Sequence, residues 1–149
     1  MHTYKSHAVT YRLVKERNNN YHQARIRTSR EAAEFIRPLY GDNMGIFEEF
    51  HLILLNQANN TIGNVRIGQG GITSTLVDVK LIAKYAIESL ATHVILSHNH
   101  PSGQLMPSEA DKQMTRKVIE GLKILDVRVT DHIIMTEDSF YSFADEGVL

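Results

Sequence analysis

The sequence predicts one α/β domain, a mixed or antiparallel β-sheet flanked by helices, with an N-terminal hairpin ahead of it. Three observations lead there. Residues 75–90 repeat apolar side chains at three- and four-residue spacing, the period of a helix packed on one face. Residues 48–56 and 93–97 are apolar runs of strand length, and the second follows directly on that helix. The chain has 149 residues, 42% of them apolar, which suits one domain with its own core.

The elements follow in order. Residues 8–16 alternate between apolar and polar and read as a strand. Arg17-Asn18-Asn19-Asn20 is a turn, and residues 21–28 return as its partner. Residues 1–27 are therefore expected to form an arm or hairpin packed on a main domain of residues 28–149. Thr28 or Ser29 caps a first helix whose apolar face is Ala32, Ala33, Phe35, Ile36 and Leu39, with Pro38 and Gly41 bringing it to an end. Residues 48–56 form a buried strand with a polar entry, and residues 61–67 are its antiparallel return. Gly68-Gln69-Gly70-Gly71 lacks the Lys-Ser/Thr of a P-loop and the GxGxxG spacing, so it reads as a loop or β-bulge.

The central helix carries Leu76, Val79, Ile82, Ala83, Ala86, Ile87 and Leu90 as one stripe, and Thr75 followed by Asp78 suits an N-terminal cap. After the strand at 93–97, Ser108 opens a third helix with Met114, Val118, Leu122 and Leu125 on its buried side. Residues 127–135 make a last strand with a polar Asp131-His132 pair inside it. The aromatic tail, residues 139–145, packs back as a short helix or turn.

Composition narrows the chemistry. Cysteine is absent, which excludes disulfides and thiolate zinc sites, so a metal must sit on His, Asp or Glu, with eight histidines as the main supply. A net charge of −1 gives no long-range pull toward nucleic acid or anionic lipid. The N-terminus lacks the apolar core of a signal peptide and no apolar run has membrane-spanning length, so a cytoplasmic protein with no membrane partner is expected.

The chemistry concentrates in Ser97-His98-Asn99-His100-Pro101-Ser102-Gly103 and the Pro107-Ser108-Glu109-Ala110-Asp111 that follows. In an extended backbone His98 and His100 point the same way and Asn99 the other. Pro101 stops the strand and Gly103 lets the chain turn into the next helix. Asp111, in that helix's first turn, can close a three-ligand set that leaves a fourth position for water, the form of a catalytic zinc site. Zinc so held lowers the pKa of water to roughly 7, and a proton acceptor must stand nearby. Glu48 and Glu49 both stand at the mouth of a buried strand. Alternation groups Glu48 with Phe50 and Leu52, and Glu49 with His51 and Ile53. Both faces are apolar, so periodicity does not choose. Each part also has a plainer explanation: Ser108 and Asp111 have helix-capping spacing, and Glu48 can be a solvated strand end.

Taken together, His98-x-His100, seven residues, Ser108, two residues and Asp111 match the JAMM metalloprotease motif residue by residue. The form His98-Asn99-His100-Pro101-Ser102-Gly103 with Pro107, Ser108 and Asp111 resembles the RadC-like branch of that JAB/MPN family. The likeness extends through Glu48-x-Phe50, Asp131-His132-Ile133 and Tyr141-Ser142-Phe143-Ala144-Asp145-Glu146-Gly147, covering about residues 28–147. It implies a mixed sheet flanked by helices, similar to the cytidine deaminases. It implies Zn2+ on His98, His100 and Asp111 with water as fourth ligand, and Glu48 as the catalytic glutamate that moves a proton to the leaving amine. Ser108 would hydrogen-bond the tetrahedral oxyanion, a contribution of roughly 3–4 kcal/mol where one such donor has been removed, while capping the helix through its backbone position.

Two departures stand out. Longer RadC proteins carry an N-terminal helix-hairpin-helix DNA-binding segment, which is not expected within these residues, and Lys80 stands where the family suggests Arg. Three functions remain in play: a zinc peptidase or isopeptidase, a DNA-repair-associated protein using the same metal on a phosphodiester, and a non-catalytic binding module. The intact set of Glu48, His98, His100, Ser108 and Asp111 argues against the third. The second lacks a basic cluster. His93 and His132 are candidates for groups that approach the site. Two His and one carboxylate also suit non-haem Fe(II), but a Glu base and a Ser donor suit hydrolysis, which favours zinc and a peptide or isopeptide substrate.

Overall fold

A computed structural model describes residues 22–70 and 77–149. Most of the predicted N-terminal hairpin, Gly71 of the glycine-rich stretch and Thr75 lie outside those residues.

Five strands form one mixed sheet in the order β2-β1-β3-β4-β5. They are β1 (Glu49–Leu55), β2 (Thr61–Gln69), β3 (His93–Asn99), β4 (Arg128–Met135) and β5 (Phe140–Ser142), and the helices are α1 (Ser29–Tyr40), α2 (Val79–Glu88) and α3 (Glu109–Lys123). The β3–β4 pair is parallel and the others antiparallel. Helices cover both faces of the sheet. On one side Phe50, Leu52, Leu54, Val94, Leu96 and Val129 pack on Ile82 and Ala86 of α2 and Val118 and Leu122 of α3. On the other, Ile53, Leu55, Ile95, Ile133 and Met135 pack on Ala32, Ala33, Ile36 and Tyr40 of α1. Every residue of β1 is buried, which is why its sequence is a continuous apolar run: it lies between two helical layers.

The helices begin where their caps dictate. The Thr28 side chain accepts from the Glu31 amide and the Glu31 carboxylate accepts from the Thr28 amide, a reciprocal capping box. Pro38 lies inside α1 rather than ending it, and the stop comes at Gly41, whose φ of +51° favours glycine. α2 starts later than predicted because Asp78 is itself the cap, accepting from the Lys80 amide. Its apolar stripe is also shorter. Ile82 and Ala86 are buried, while Ile87, on the outer side of α2, and Leu90, past its end with a left-handed φ of +56°, are exposed. Leu125, past the end of α3, is likewise exposed.

Two further strand readings change. β2 continues through Gly68 and Gln69, with the pairing slipping by one residue beside Gly68, and the Gly70 amide donates to the Glu48 carbonyl, so the start of the glycine-rich stretch is bulged strand and not loop. The tail forms β5 against β4 before turning, so it is not a helix. At the arm's end, Arg25 bridges Asn60 and Ile26 is buried. Among the described residues no helix is long and apolar enough to cross a membrane.

Candidate metal centre

The site lies where β3 ends. Phe50 of β1 pairs with His98 of β3, so the face carrying Phe50, Leu52 and Leu96 is the face on which His98 stands. The His100 amide still bonds the Met135 carbonyl, holding the chain extended for one residue past the strand. The Gly103 amide then turns back to the His100 carbonyl, with a φ of +80° at Gly103 that favours glycine. This tight turn delivers Ser108 as the cap of α3. The Ser108 hydroxyl oxygen accepts from the Asp111 amide at 3.1 Å, and its proton goes to Asp111 Oδ2 at 2.7 Å. The cap is thus made by the side chain, not by backbone position alone.

The three predicted ligands come together. His98 Nε2 lies 2.9 Å from His100 Nε2 and 3.3 Å from Asp111 Oδ1, and His100 Nε2 lies 3.6 Å from Asp111 Oδ2. One ligand atom from each can be chosen so that all lie within 4.8 Å of one another. Tetrahedral zinc at its usual bond lengths places ligand atoms roughly 3.3 Å apart, which these separations bracket.

The donor set also fits a cation. His100 Nδ1 donates to the Gln104 carbonyl at 2.6 Å, which leaves Nε2 of the neutral ring as a lone pair. That lone pair, His98 Nε2 and a carboxylate converge on one point, an arrangement that asks for positive charge between them. The protonation equilibria respond accordingly. Burial works against the charged form of His100, but Asp111, the Gln104 carbonyl and Glu48 outweigh it and raise its pKa. Burial alone would raise Asp111, yet the hydrogen bonds with His100, His98 and Ser108 hold its carboxyl far below the usual range.

The two glutamates separate cleanly. Glu49 is buried on the α1 side, where its carboxylate accepts from Asn43 Nδ2, from Arg66 and at 2.9 Å from His51 Nε2. Glu48, one residue before β1, falls on the His98 face, half-buried, and its carboxylate helps to raise His100. His132 also reaches the site, its Nε2 lying 2.7 Å from His98 Nδ1. Burial, with His98 alongside, holds its pKa well below the ordinary value. His93 does not reach the site. It opens β3 at the far end of the strand, bonded to Asn59.

Three contributors lie beyond what the residue pattern singled out. Thr115, one turn after Asp111 on α3, bonds His132 Nδ1, and its i+4 spacing from a ligand is a readable signal. Gln104 acts through its backbone, which no side-chain pattern reveals. Asn99, between the two ligands, points to the other face as alternation predicts. There its amide binds the backbone of the loop before β1 at Met44, Phe47 and Glu49.

Comparison with known proteins shows the family. Residues 26–148 match the RadC-like JAB domain. The chain is 45% identical over 124 residues to a UPF0758 protein of Flavobacterium johnsoniae, covering 83% of this chain and 53% of that protein. It is 44% identical over 103 residues to a UPF0758 protein of Porphyromonas gingivalis, covering 68% and 45%. With the UPF0758 protein YfjY of Escherichia coli it shares 43% identity over 102 residues, covering 68% and 64%. The chain thus spans about half to two thirds of the length of these curated relatives. With the match extending over most of its length, the chain belongs to the RadC-like JAB domain family.

Proposed function

We propose that the chain is a zinc-dependent hydrolase of the JAMM type, acting on a peptide or isopeptide bond. The observation that carries this reading is the convergence of His98 Nε2, His100 Nε2 and the Asp111 carboxylate, with Glu48 on the same face of the sheet. His98, His100 and Asp111 would hold the zinc, which supplies a Lewis acid able to make water acidic near neutral pH, with a pKa of about 7.

The chain's own residues do the rest. Glu48 accepts a proton from the attacking water and delivers it to the leaving nitrogen, so the C–N bond breaks as the hydroxyl joins the carbonyl carbon. Ser108 holds its proton on Asp111. Redirected toward the substrate, that hydroxyl donates to the oxygen on which negative charge develops. A polypeptide substrate also suits the surroundings. Ile46, Phe47 and Met106 are exposed apolar side chains in the two segments that carry Glu48 and Ser108. Such a rim matches peptide side chains better than a phosphodiester backbone, and a net charge of −1 adds no attraction for the latter.

The test joins metal analysis to a substrate screen. Purified protein should hold about one zinc per chain, lost in His98→Ala and Asp111→Ala, the stoichiometry of a three-ligand site. A panel of peptides, isopeptide-linked peptides and single- and double-stranded DNA, run with wild type and Glu48→Gln, names the bond. Glu48→Gln should keep the zinc and lose about 10²–10⁴ in hydrolysis rate. Cleavage of DNA alone, or a fully active Glu48→Gln, would sink the proposal.

A further inference from the structure

We propose that Thr115 and His132 are positioning residues that fix the tautomer of His98, so that its Nε2 faces the metal position as a lone pair. The inference rests on the metal-centre reading above and deepens it. Thr115, His132 and His98 form a chain from α3 through β4 to β3, with all three residues at most 1% exposed. Thr115 Oγ1 lies 2.6 Å from the Asp111 carbonyl oxygen and 2.7 Å from His132 Nδ1, and His132 Nε2 lies 2.7 Å from His98 Nδ1. The ring of His132 is held by Phe143, stacked at 4.6 Å, and by Phe50 at 5.8 Å edge-on.

Proton inventory sets the direction of this chain. A threonine hydroxyl has one proton, a neutral imidazole has one N–H, and a carbonyl has none. The 2.6 Å separation from the Asp111 carbonyl places the hydroxyl proton there, since two bare oxygens would repel at that distance. Thr115 Oγ1 must then accept, so His132 carries its proton on Nδ1. His132 Nε2 is therefore an acceptor and takes the proton of His98 Nδ1. What remains on His98 Nε2 is a lone pair, directed at His100 and Asp111.

The opposite polarity is self-consistent along the rings but ends with a proton on His98 Nε2, where it opposes a cation. The Asp111 carbonyl chooses between the two. A ligand's own backbone thus sets the protonation of a second ligand through two intervening side chains. The acceptor behind His98 is a neutral imidazole, not a carboxylate, so the chain orients the ligand without adding negative charge to the site.

Substitution of Thr115 by its isostere separates this role from packing. Thr115→Val should weaken zinc binding about 10–100-fold, the usual cost of losing an outer partner of a ligating histidine. Thr115→Ser, which keeps the hydroxyl, should bind within about threefold of wild type on the same reasoning. Affinity is read by competition with a chromophoric zinc chelator. In parallel, imidazole ¹⁵N spectra of the metal-free protein should show Nδ1–H for both His98 and His132 in wild type and Thr115→Ser. Equal zinc affinity in Thr115→Val and wild type, or a wild-type spectrum with the proton on His98 Nε2, overturns the inference. Should Thr115→Val fail to fold, the wild-type spectrum decides alone. A wild type that binds no zinc removes the metal reading instead, and its spectrum still reports the direction of the chain.

Discussion

Asn99 Nδ2 donates to the carbonyl oxygen of Phe47 at 2.7 Å, tying the residue between His98 and His100 to the residue before Glu48. The same amide donates to the Met44 carbonyl at 2.7 Å, and its Oδ1 accepts from the Glu49 amide at 2.7 Å. While His98 and His100 stand in the cluster that could hold a metal, the residue between them grips, on the far side of the sheet, the loop that carries the proposed base, Glu48. Asn99→Ala leaves buried backbone groups unpaired at 1–3 kcal/mol each, so a loss of about 2–4 kcal/mol is expected in denaturant unfolding. Zinc stoichiometry should persist while hydrolysis falls, because the ligands remain and Glu48 loses its anchor. Hydrolysis at the wild-type rate in folded Asn99→Ala would show that the clamp has no part in placing Glu48.

Ser108 is engaged twice by Asp111, as cap and as donor. Ser108→Ala removes both, and the two effects differ in size. Loss of the cap should cost about 1 kcal/mol of stability. Loss of an oxyanion donor should cost about 10²–10³ in turnover. A variant whose activity drops less than about tenfold at full zinc occupancy would limit Ser108 to capping α3 and orienting Asp111.

Much of the ligand set was legible because its geometry is local. His98 and His100 share a face by strand alternation, and Asp111 sits one capping turn into the next helix. His132 was not placeable in the same way. β3 and β4 slip register between Val94 and Ile95, with Thr130 as the extra residue. That bulge turns Asp131 toward the α1 side and His132 toward α3, reversing what unbroken alternation from Val129 would give. The choice between Glu48 and Glu49 was closed to periodicity because both faces of β1 are covered, and only the pairing of Phe50 with His98 distinguishes them. Leu90 continued a helical period past the point where the backbone stops being helical, with no glycine to mark the end, and Ile87 lies within α2 but on its exposed side. β5 is three residues long, too short for any alternation to show.

The packing of α2 on α3 depends on Gly121, where an added Cβ would lie 2.8 Å from Val79 Cγ1. In an isolated helix Gly→Ala stabilises by about 1 kcal/mol. Here overpacking against a stiff β-branched neighbour should outweigh that, giving a net loss of about 1–2 kcal/mol. Gly121→Ala with Val79→Ala should recover most of it. A double-mutant cycle showing simple additivity would place the close approach elsewhere.

Glu49 gives the fold a pH dependence whose sign follows from its partners. Burial would raise its carboxyl, but the hydrogen bonds with His51 and Asn43 and the Arg66 guanidinium outweigh it and hold the pKa below the ordinary 4.5. A carboxylate with a depressed folded pKa stabilises the fold above its unfolded pKa. That stability is lost as pH falls through the lower folded value. Glu49→Gln should therefore be less stable than wild type by about 1.5–3 kcal/mol at pH 7, the range for hydrogen bonds to a buried charge. Arg66 adds little to this, being half exposed. The gap should hold down to about pH 5 and narrow below about 4.5, where the unfolded chain takes up the proton first and folded Glu49 follows only at lower pH. Asp111 titrates in both proteins and cancels in the difference. Denaturant unfolding of the pair from pH 3 to 7 reads the gap directly. A constant gap across that range would mean that Glu49 acts through shape and hydrogen bonding and not through its charge.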